Sequence, residues 1–500
     1  MQLLCSGTSP GVGARVPVPD YDRARVRPGI VHIGVGGFHR AHQAVYVDDL
    51  LRRGGAHDWG ICGVGVLSAD ARMRDVMATQ DCLYTVLEKH PDGHRQARVV
   101  GSLVEYALAP ANPLAVVERM ADPAVRIVSL TVTEGGYNIH AVTGRFDLEH
   151  PDVVHDLQPG AAWRTTFGLV TAALARRRER GVGPFTVMSC DNVQGNGEVT
   201  RHAFCAFASA CDPGLGAWIE ENVRFPNSMV DRITPQTTDA ERDEVAGILG
   251  VRDEWPVVCE PFSQWVLEDS FAAGRPAWEE VGVQVVGEVE PYELMKLRLL
   301  NAGHQALAYF GRLVGHRFVH EAARDPLLAE FVLGYMRDEA QPSLPPVPGI
   351  DLAAYQRQLL ERFGNAQIRD TLARLCAETS DRIPKWLLPV IRHQLSHGGE
   401  VRRSAAVLAS WARYAEGVDE QGEPIEVVDR QRGRLTAAAA RQHHDPTAFL
   451  EDRELFGDLA DDDRFVSAYL DALRSLHEVG ARRTLERLTA ALRPAERRPA

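Results

Sequence analysis

Short apolar runs alternate with segments of helical periodicity in the first half of the chain. Four runs, at 30–36, 59–67, 125–132 and 185–190, have the length and apolarity of buried strands. Residues 40–53, between the first two runs, carry apolar side chains at helical spacing and complete a strand–helix–strand unit. This alternation predicts a parallel α/β architecture.

The second half has a different pattern. Long helical periodicities occupy 292–313, 352–363, 368–376 and 465–476, with little strand propensity between them. We therefore expect a boundary near Gly287, with an α/β domain over residues 1–287 and a mostly helical domain over residues 288–500.

Composition narrows the class of protein. The chain has 500 residues, 45% of them hydrophobic and 25% charged, which is typical of a globular protein with two or more domains. Its net charge of −13 and the lack of a basic block argue against nucleic acid as a partner. No apolar run approaches the roughly 18 residues of a membrane span, and the start lacks the features of a signal peptide, so we expect a cytoplasmic protein.

The eight cysteines are scattered and include no C-x-x-C pair. This pattern fits reduced thiols and offers no evident zinc site, so no metal centre is predicted.

A glycine-rich turn stands where the first predicted strand leads into a helix. Gly34, Gly36 and Gly37 would let the backbone approach a pyrophosphate, which the helix N-terminus would bind. The third glycine of G-x-G-x-x-G is replaced by His39, so an ordinary structural turn stays an alternative. Asp70, past the second strand, could accept hydrogen bonds from an adenosine ribose and repel a 2′-phosphate, or be a solvated loop acid.

The predicted helix at 292–313 carries four polar residues among leucines: Glu293, Lys296, Asn301 and His304. On an ideal α-helix the other three lie within about 140° of Lys296, so they share one arc. Lys296 is one of only three lysines, and a buried lysine can lose its proton where an arginine cannot. The alternative is an exposed amphipathic face.

Asn192 directly follows the predicted strand at 185–190. Ligand sites of open α/β sheets form at the carboxyl ends of strands, so its amide could enter the ligand crevice. A capping turn is the competing interpretation.

These motifs stand in a chain that resembles the mannitol dehydrogenase family, which comprises polyol dehydrogenases and hexuronate reductases. The resemblance runs from about Gly29 to Leu488, through IVHIGVGGFHRAHQ, VRIVSLTVTEGGYNI, FTVMSCDN, FPNSMVDRITP, WPVVCEP, PYELMKLRLLNAGH and RFGNAQIRD. VVCEPFSQWVLEDSF, GRPAWEEVGVQ, GHRFVHE and PVPGIDL are more similar to the mannitol 2-dehydrogenase branch than to the hexuronate reductases. The resemblance implies a Rossmann-type NAD-binding domain, a mostly helical C-terminal substrate domain and zinc-independent hydride transfer.

The same resemblance implies roles for the polar helix residues. The family's K-x-x-x-x-N-x-x-H pattern falls on Lys296, Asn301 and His304. Lys296 would be the general acid/base, Asn192 and Asn301 would stabilise the developing alkoxide, and His304 would orient the substrate. Glu293 would line the proton route.

Further contacts are implied for the sugar and the cofactor. Asp231 and Arg374 would contact sugar hydroxyls, and Arg382 stands at the far end of the substrate pocket where relatives can have lysine. The residues that would contact the cofactor are Gly34, Gly36, Gly37, Phe38 and Asp70. Ala69 replaces an acid that some relatives have beside Asp70, so a preference for NAD depends on one carboxylate.

The resulting functional prediction is NAD-dependent oxidation of a polyol to a ketose. D-mannitol to D-fructose comes first, with D-arabinitol or sorbitol as neighbouring substrates and hexuronate reduction as the main alternative. A nucleotide-sensing protein without catalysis is disfavoured by the presence of Lys296 with both asparagines. A small-molecule substrate is the only partner predicted, and the resemblance favours a monomer.

Overall fold

The computed structural model describes residues 1–139 and 145–492, which form two compact units on either side of the Glu290–Pro291 bond. The strands of the N-terminal unit are β1 Pro28–Ile33, β2 Gly60–Gly65, β3 Tyr84–Lys89, β4 Arg95–Val100, β5 Leu103–Leu108, β6 Ile127–Leu130, β7 Thr186–Ser189, β8 Ser228–Asp231, β9 Val257–Cys259, β10 Gln264–Glu268 and β11 Gln284–Val286. Its α-helices are α1 Ser9–Val12, α2 Gly37–Ala41, α3 Gln43–Arg53, α4 Ala71–Thr79, α5 Pro113–Ala121, α6 Pro151–Asp156, α7 Thr166–Glu179, α8 Asn196–Cys211, α9 Pro213–Asn222 and α10 Asp239–Leu249.

A five-stranded sheet in the order β5-β2-β1-β6-β7 is the centre of this unit, and every pairing in it is parallel. Side chains of β1 alternate between two apolar cores: Ile30 packs with α3 and α4, while Val31 and Ile33 pack with α5, α7 and α8. The sheet is therefore covered on both faces, as parallel sheets require. The predicted parallel α/β architecture is confirmed. Strands β2, β6 and β7 lie within their predicted runs, whereas β1 overlaps its run and begins two residues earlier, at Pro28.

Two differences concern the elements around this sheet. The periodic segment 40–53 is interrupted at His42, whose φ of −122° and ψ of −94° separate α2 from α3. Two further three-stranded sheets, β4-β3-β9 and β11-β10-β8, each contain an antiparallel pair that the prediction did not include.

The C-terminal unit is helical, and residues 291–492 contain no extended strand. Its α-helices are α11 Glu290–Met295, α12 Ala302–Leu313, α13 Val319–Arg324, α14 Pro326–Tyr335, α15 Leu352–Phe363, α16 Leu372–Cys376, α17 Thr379–Trp386, α18 Leu388–Ser396, α19 Arg402–Tyr414, α20 Arg432–Arg441, α21 Arg453–Phe456 and α22 Asp463–Leu492. Within the parts of the chain that the structure describes, no helix has both the length and the apolarity to cross a membrane.

The predicted helix at 292–313 is not one regular α-helix. A π-helical segment, Lys296–Asn301, connects α11 to α12. Its backbone hydrogen bonds join residues five apart, where an α-helix joins residues four apart. The angular positions of the side chains around the helix axis, which we predicted from an ideal α-helix, are therefore wrong across this segment.

Candidate active site

The order of the five-stranded sheet locates a ligand crevice. The chain passes outward from β1 to β2 and β5, then returns to β6 on the other side of β1 and continues to β7. In such doubly wound sheets the loops that follow the two central strands lead away from each other, and ligands bind between them. Here those loops begin at Gly34, after β1, and at Thr131, after β6.

The glycine turn after β1 lies tightly against the loop after β6. Gly34 has a φ of +93°, and a Cβ atom there would come within 2.1 Å of the Thr131 carbonyl oxygen. The Thr131 hydroxyl also donates a hydrogen bond of 2.6 Å to the Gly34 carbonyl. Gly36, by contrast, is exposed, and a Cβ atom there would meet nothing closer than 3.9 Å. The turn thus presents bare backbone at the switch point, which fits the close approach of a dinucleotide pyrophosphate.

The residues after the turn are more enclosed. A Cβ atom on Gly37 would make an ordinary contact of 3.5 Å with the Thr234 methyl group. Phe38 is half-buried, and its ring stacks on His42 with 4.8 Å between centroids.

A buried polar layer lies beneath this turn. The imidazole of His32 contacts the Ser129 hydroxyl at 2.8 Å and the Thr131 hydroxyl at 2.9 Å, and it stacks on His39 with 3.4 Å between centroids. Burial lowers the pKa of His32 to about 3 and the pKa of His39 well below its ordinary value, so both rings are neutral. We did not predict this layer, although a histidine in the middle of an apolar strand was a visible signal.

Asp70 lies in the loop after β2, the strand beside β1. Its Oδ2 atom accepts hydrogen bonds of 2.9 Å from the backbone N–H groups of Val66 and Leu67. The carboxylate is half-buried and fixed at the carboxyl edge of the sheet. Asp70 is therefore an ordered loop residue at this edge of the sheet, and its role toward a cofactor stays a prediction.

Asn192 is exposed at the end of β7, next to a buried carboxylate that we did not predict. Asp191 accepts hydrogen bonds from the backbone N–H groups of Val132 at 3.1 Å and Thr133 at 2.8 Å, and from the Tyr137 hydroxyl at 2.8 Å. It thereby holds the loop after β6 beside the loop after β7. Its position, directly after a buried strand, was the available signal.

Asp231 is the last residue of β8 and is buried, with 6% exposure. The following residue, Arg232, donates hydrogen bonds to the carbonyls of Ala41 at 2.7 Å and Glu260 at 3.0 Å. The end of β8 is therefore held against the end of α2.

The four predicted polar residues of the C-terminal unit are all buried. Glu293 lies on α11, Lys296 and Asn301 lie at the two ends of the π-helical segment, and His304 lies on α12, with exposures of 6–8%. The alternative of an exposed amphipathic face is therefore wrong. Hydrogen bonds between residues five apart put Asn301 one turn above Lys296, closer to its face than an α-helix would.

Two of these side chains have informative surroundings. The ring of His304 packs on Phe363 with 4.0 Å between centroids. The Nδ2 atom of Asn301 is buried, and no acceptor for it occurs among the residues described. An unused buried donor costs about 1–3 kcal/mol, so this amide is suited to an oxygen that arrives with a ligand.

The environments of the three lysines distinguish Lys296 from the others. Lys89 is buried in ion pairs with Glu241 at 2.6 Å and Glu244 at 3.5 Å, which attach β3 to α10. Lys385 is exposed on α17. Lys296 alone combines burial with the asparagine and histidine of the predicted motif.

The two arginines predicted at the sugar both have protein partners. Arg374, on α16, pairs with Asp370 at 2.6 Å, and 58% of its side chain is exposed. Arg382, on α17, donates to the carbonyl of Leu375 at 3.2 Å, and Gln305 of α12 donates to that same carbonyl at 3.2 Å. Arg382 is therefore linked to the helix that carries His304.

Comparisons with known proteins agree with this architecture. The model of the mannitol dehydrogenase Rossmann domain matches residues 28–280, and the model of the mannitol dehydrogenase C-terminal domain matches residues 288–477. A mannitol 2-dehydrogenase of Aspergillus fumigatus is 48% identical over 95% of this chain and 95% of its own length. A mannitol dehydrogenase of Saccharomyces cerevisiae is 46% identical over 93% of each chain.

Solved structures give the same result. Pseudomonas fluorescens mannitol 2-dehydrogenase, in a ternary complex with NAD and D-mannitol, has a TM-score of 0.87 and 44% identity over 99% of this chain and 100% of its own. A D-sorbitol dehydrogenase in substrate-free form has a TM-score of 0.89 and 38% identity over 97% of this chain and 100% of its own. The chain therefore belongs to the mannitol dehydrogenase family.

Proposed function

We infer that this chain is an NAD-dependent polyol dehydrogenase, and we propose D-mannitol and D-fructose as its principal substrate pair. The buried set Glu293, Lys296, Asn301 and His304 carries this proposal, in a chain 48% identical to a mannitol 2-dehydrogenase. The relatives reported above are named for mannitol or sorbitol, which favours a polyol over a hexuronate as substrate.

Lys296 is proposed as the base. NAD, when bound, supplies the acceptor for the hydride that leaves the carbinol carbon. The hydroxyl proton of that carbon must leave as well, and a lysine whose ammonium is buried loses its proton more readily than one in water. Glu293, three residues earlier and also buried, is proposed to carry the proton onward from Lys296.

Asn301 and Asn192 are proposed to stabilise the oxygen. As the carbinol becomes a carbonyl, negative charge develops on its oxygen, and neutral N–H donors already in position stabilise that charge. The Asn301 amide is buried and has no acceptor within the described chain, so it can donate without first breaking a bond. His304, packed on Phe363, is proposed to orient the substrate.

The glycine turn, Phe38 and Asp70 are proposed to bind the cofactor. Gly34, Gly36 and Gly37 would face the pyrophosphate, and Asp70 would accept from the adenosine ribose. The distal hydroxyls of the sugar are proposed to contact Asp231, Arg374 and Arg382. To do so, these side chains would give up some of the hydrogen bonds that they make within the protein.

Two variants at one position test the proposed base. Lys296→Ala should lower kcat at least about 100-fold, the usual contribution of general base catalysis, while NADH still binds. Lys296→Arg keeps a positive charge but cannot release a proton, so it should be as inactive as the alanine variant. Turnover would be measured by NADH absorbance across pH, and NADH binding by fluorescence. An arginine variant with the parent's rate and pH profile would show that Lys296 supplies charge only.

Asn301→Leu separates the donor from the base. The apolar side chain removes the unused donor, so the free energy of unfolding should stay the same or rise, whereas kcat should fall at least about 100-fold. The pH dependence that Lys296 imposes should persist, since the proton carrier is still present. Parent activity in this variant would exclude Asn301 from the reaction.

A substrate panel tests the proposed specificity. D-mannitol, D-arabinitol and sorbitol would be oxidised with NAD, and fructuronate would be reduced with NADH. We expect the highest kcat/KM with D-mannitol. A higher kcat/KM for fructuronate reduction would make the chain a hexuronate reductase.

The cellular location of the protein is proposed from its cysteines, and its oligomeric state from the family resemblance. All eight cysteines are free thiols, which suits a reducing compartment such as the cytoplasm. A monomer is proposed from the family resemblance, and light scattering coupled to gel filtration would measure the mass in solution.

A further inference from the structure

Three side chains from separate segments of the C-terminal unit converge away from the proposed catalytic residues. Glu416 follows α19, His443 follows α20, and His477 lies on α22. Each offers one ligand atom, and these three atoms lie within 4.8 Å of one another. The Oε1 atom of Glu416 is 2.8 Å from His477 Nε2 and 3.6 Å from His443 Nε2. This Glu-His-His group is the only one of its kind among residues 1–139 and 145–492.

Two side chains outside the group hold the Glu416 carboxylate in place. Arg413 contacts Glu416 Oε2 at 3.0 Å, and the buried amide of Gln442 donates to Oε1. Partners of this kind orient a ligand and fix its position before an ion arrives. The positive charge of Arg413 weakens cation binding, but it lies on the oxygen that does not contact the histidines.

Solvent reaches the group from the histidine side. The side chains of His443 and His477 are 57% and 23% exposed, whereas Glu416 is 10% exposed. The two rings lie 4.7 Å apart between centroids, at 30° to each other. An ion could therefore enter from water, and one coordination position would stay open to water.

We propose that Glu416, His443 and His477 bind one divalent transition-metal ion of the zinc type, with water as a fourth ligand. Two imidazoles and one carboxylate suit zinc better than magnesium or calcium, which prefer all-oxygen sites. Ligand atoms of a tetrahedral zinc site are about 3.4 Å apart, as follows from bonds of about 2.1 Å. The distances of 2.8 and 3.6 Å from Glu416 Oε1 lie on either side of that value, and all three ligand atoms lie within 4.8 Å of one another, so side-chain movements would complete the site.

This site would clamp helices together and take no part in hydride transfer. It would join the end of α19, the end of α20 and the part of α22 just before its kink at Gly480, where φ is +82°. The site includes none of the residues proposed for catalysis. Its residues are far apart in the sequence, which is why the absence of metal-ligand spacing along the chain led us to predict no metal centre.

Metal titration of the chelator-treated full-length protein tests the proposal. Co²⁺ absorption and Zn²⁺ calorimetry should both report one site. His443→Ala and His477→Ala should each weaken binding at least about 10-fold, since even changes behind a ligand cost 10–100-fold. His443 is exposed, so its variant tests the site without disturbing a core.

Two controls distinguish the site from other histidines. His444→Ala removes the exposed neighbour of His443, and His393→Ala breaks a stacked histidine pair with His397 whose centroids are 4.1 Å apart. Neither should change the affinity. Absence of binding in the parent protein, or equal weakening in the controls and the site variants, would overturn the proposal and leave an ordinary ion-pair cluster.

Stability and activity provide a separate readout. A ligand that binds only the folded state raises the melting temperature, so Zn²⁺ should raise Tm equally in the parent and the two controls, and by less in either site variant. Polyol oxidation should continue in excess chelator, both in the parent and in His443→Ala. An equal rise of Tm in the site variants would contradict the clamp.

Discussion

Asp70 has a structural role in the loop after β2 and a proposed role in cofactor binding. A substitution that keeps an oxygen acceptor but removes the charge separates the two roles. The Asp70 Oδ2 atom accepts hydrogen bonds from the backbone N–H groups of Val66 and Leu67. An alanine there would disturb the turn as well as the charge. An asparagine keeps an oxygen acceptor for the turn and removes only the charge.

We predict that Asp70→Asn narrows the preference for NAD over NADP by at least about tenfold, equivalent to about 1.4 kcal/mol. The physical reason is the loss of repulsion between the carboxylate and the 2′-phosphate. The measurement is kcat/KM with both cofactors at saturating polyol. Asp75→Asn, an exposed change on α4, is the matched control and should leave the ratio unaltered. An unchanged ratio in Asp70→Asn would remove Asp70 from cofactor selection.

Single residues were predictable where one short motif contains them. Lys296, Asn301 and His304 lie close together in the sequence, and Lys296 is distinctive because the chain has only three lysines. Asp191 and Glu416 were not predictable in this way. Their partners are distant in the sequence, so only the folded chain brings those groups together.

In the glycine turn after β1, both the backbone conformation and the lack of space oppose a side chain at Gly34. Gly34 has a positive φ and has the Thr131 carbonyl 2.1 Å from any Cβ atom. Gly93, in the hairpin between β3 and β4, has a φ of +91° with nothing within 4 Å of that position. The two glycines share the backbone conformation and differ in the space around them.

We predict that Gly34→Ala lowers the free energy of unfolding by several kcal/mol more than Gly93→Ala, which should cost about 1 kcal/mol. The difference arises because β1 and β6 must separate to admit the methyl group. Gly34→Ala should also weaken NADH binding, whereas Gly93→Ala should not. Urea unfolding and NADH fluorescence would measure the two effects, and equal losses in the two variants would rule out the clash as the cause.

The predicted elements were accurate where periodicity alone determines the structure. The four strand runs and the segment 352–363, which is helix α15, are examples. The π-helical segment was not predictable, because over six residues an apolar pattern does not distinguish hydrogen bonds four residues apart from those five apart. The hairpin of β3 and β4 could have been predicted, because Asp92-Gly93 lies between two strand-forming runs.

For the whole molecule, length and composition predicted more than one domain, and the boundary between compact units falls at Glu290. The two apolar cores that cover the central sheet could not be assigned to particular helices beforehand, since helical periodicity shows an apolar face but not its partner. The same limit applies to the buried histidines, whose neutrality is a consequence of the assembled core.

Those histidines make the stability of the folded chain sensitive to acid. The folded-state pKa of His32 is about 3 and that of His39 is well below its ordinary value, whereas both would titrate near 6.5 in the unfolded chain. As pH falls below about 6.5, the unfolded chain binds protons that the folded chain does not. The free energy of unfolding should therefore decrease with falling pH, and the contribution of His32 should be lost progressively down to about pH 3.

We predict that His39→Phe makes this decrease shallower by up to about 1.4 kcal/mol per pH unit, the value for one proton. Phenylalanine retains the stacking on His32 and cannot bind a proton, so only the titration is removed. Urea unfolding between about pH 7 and 5 would be followed by tryptophan fluorescence, because six of the eight tryptophans lie before Glu290. His202→Phe, at an exposed position on α8, is the control and should keep the parent slope. If His39→Phe also keeps the parent slope, the acid sensitivity of the N-terminal unit originates from groups other than this histidine pair.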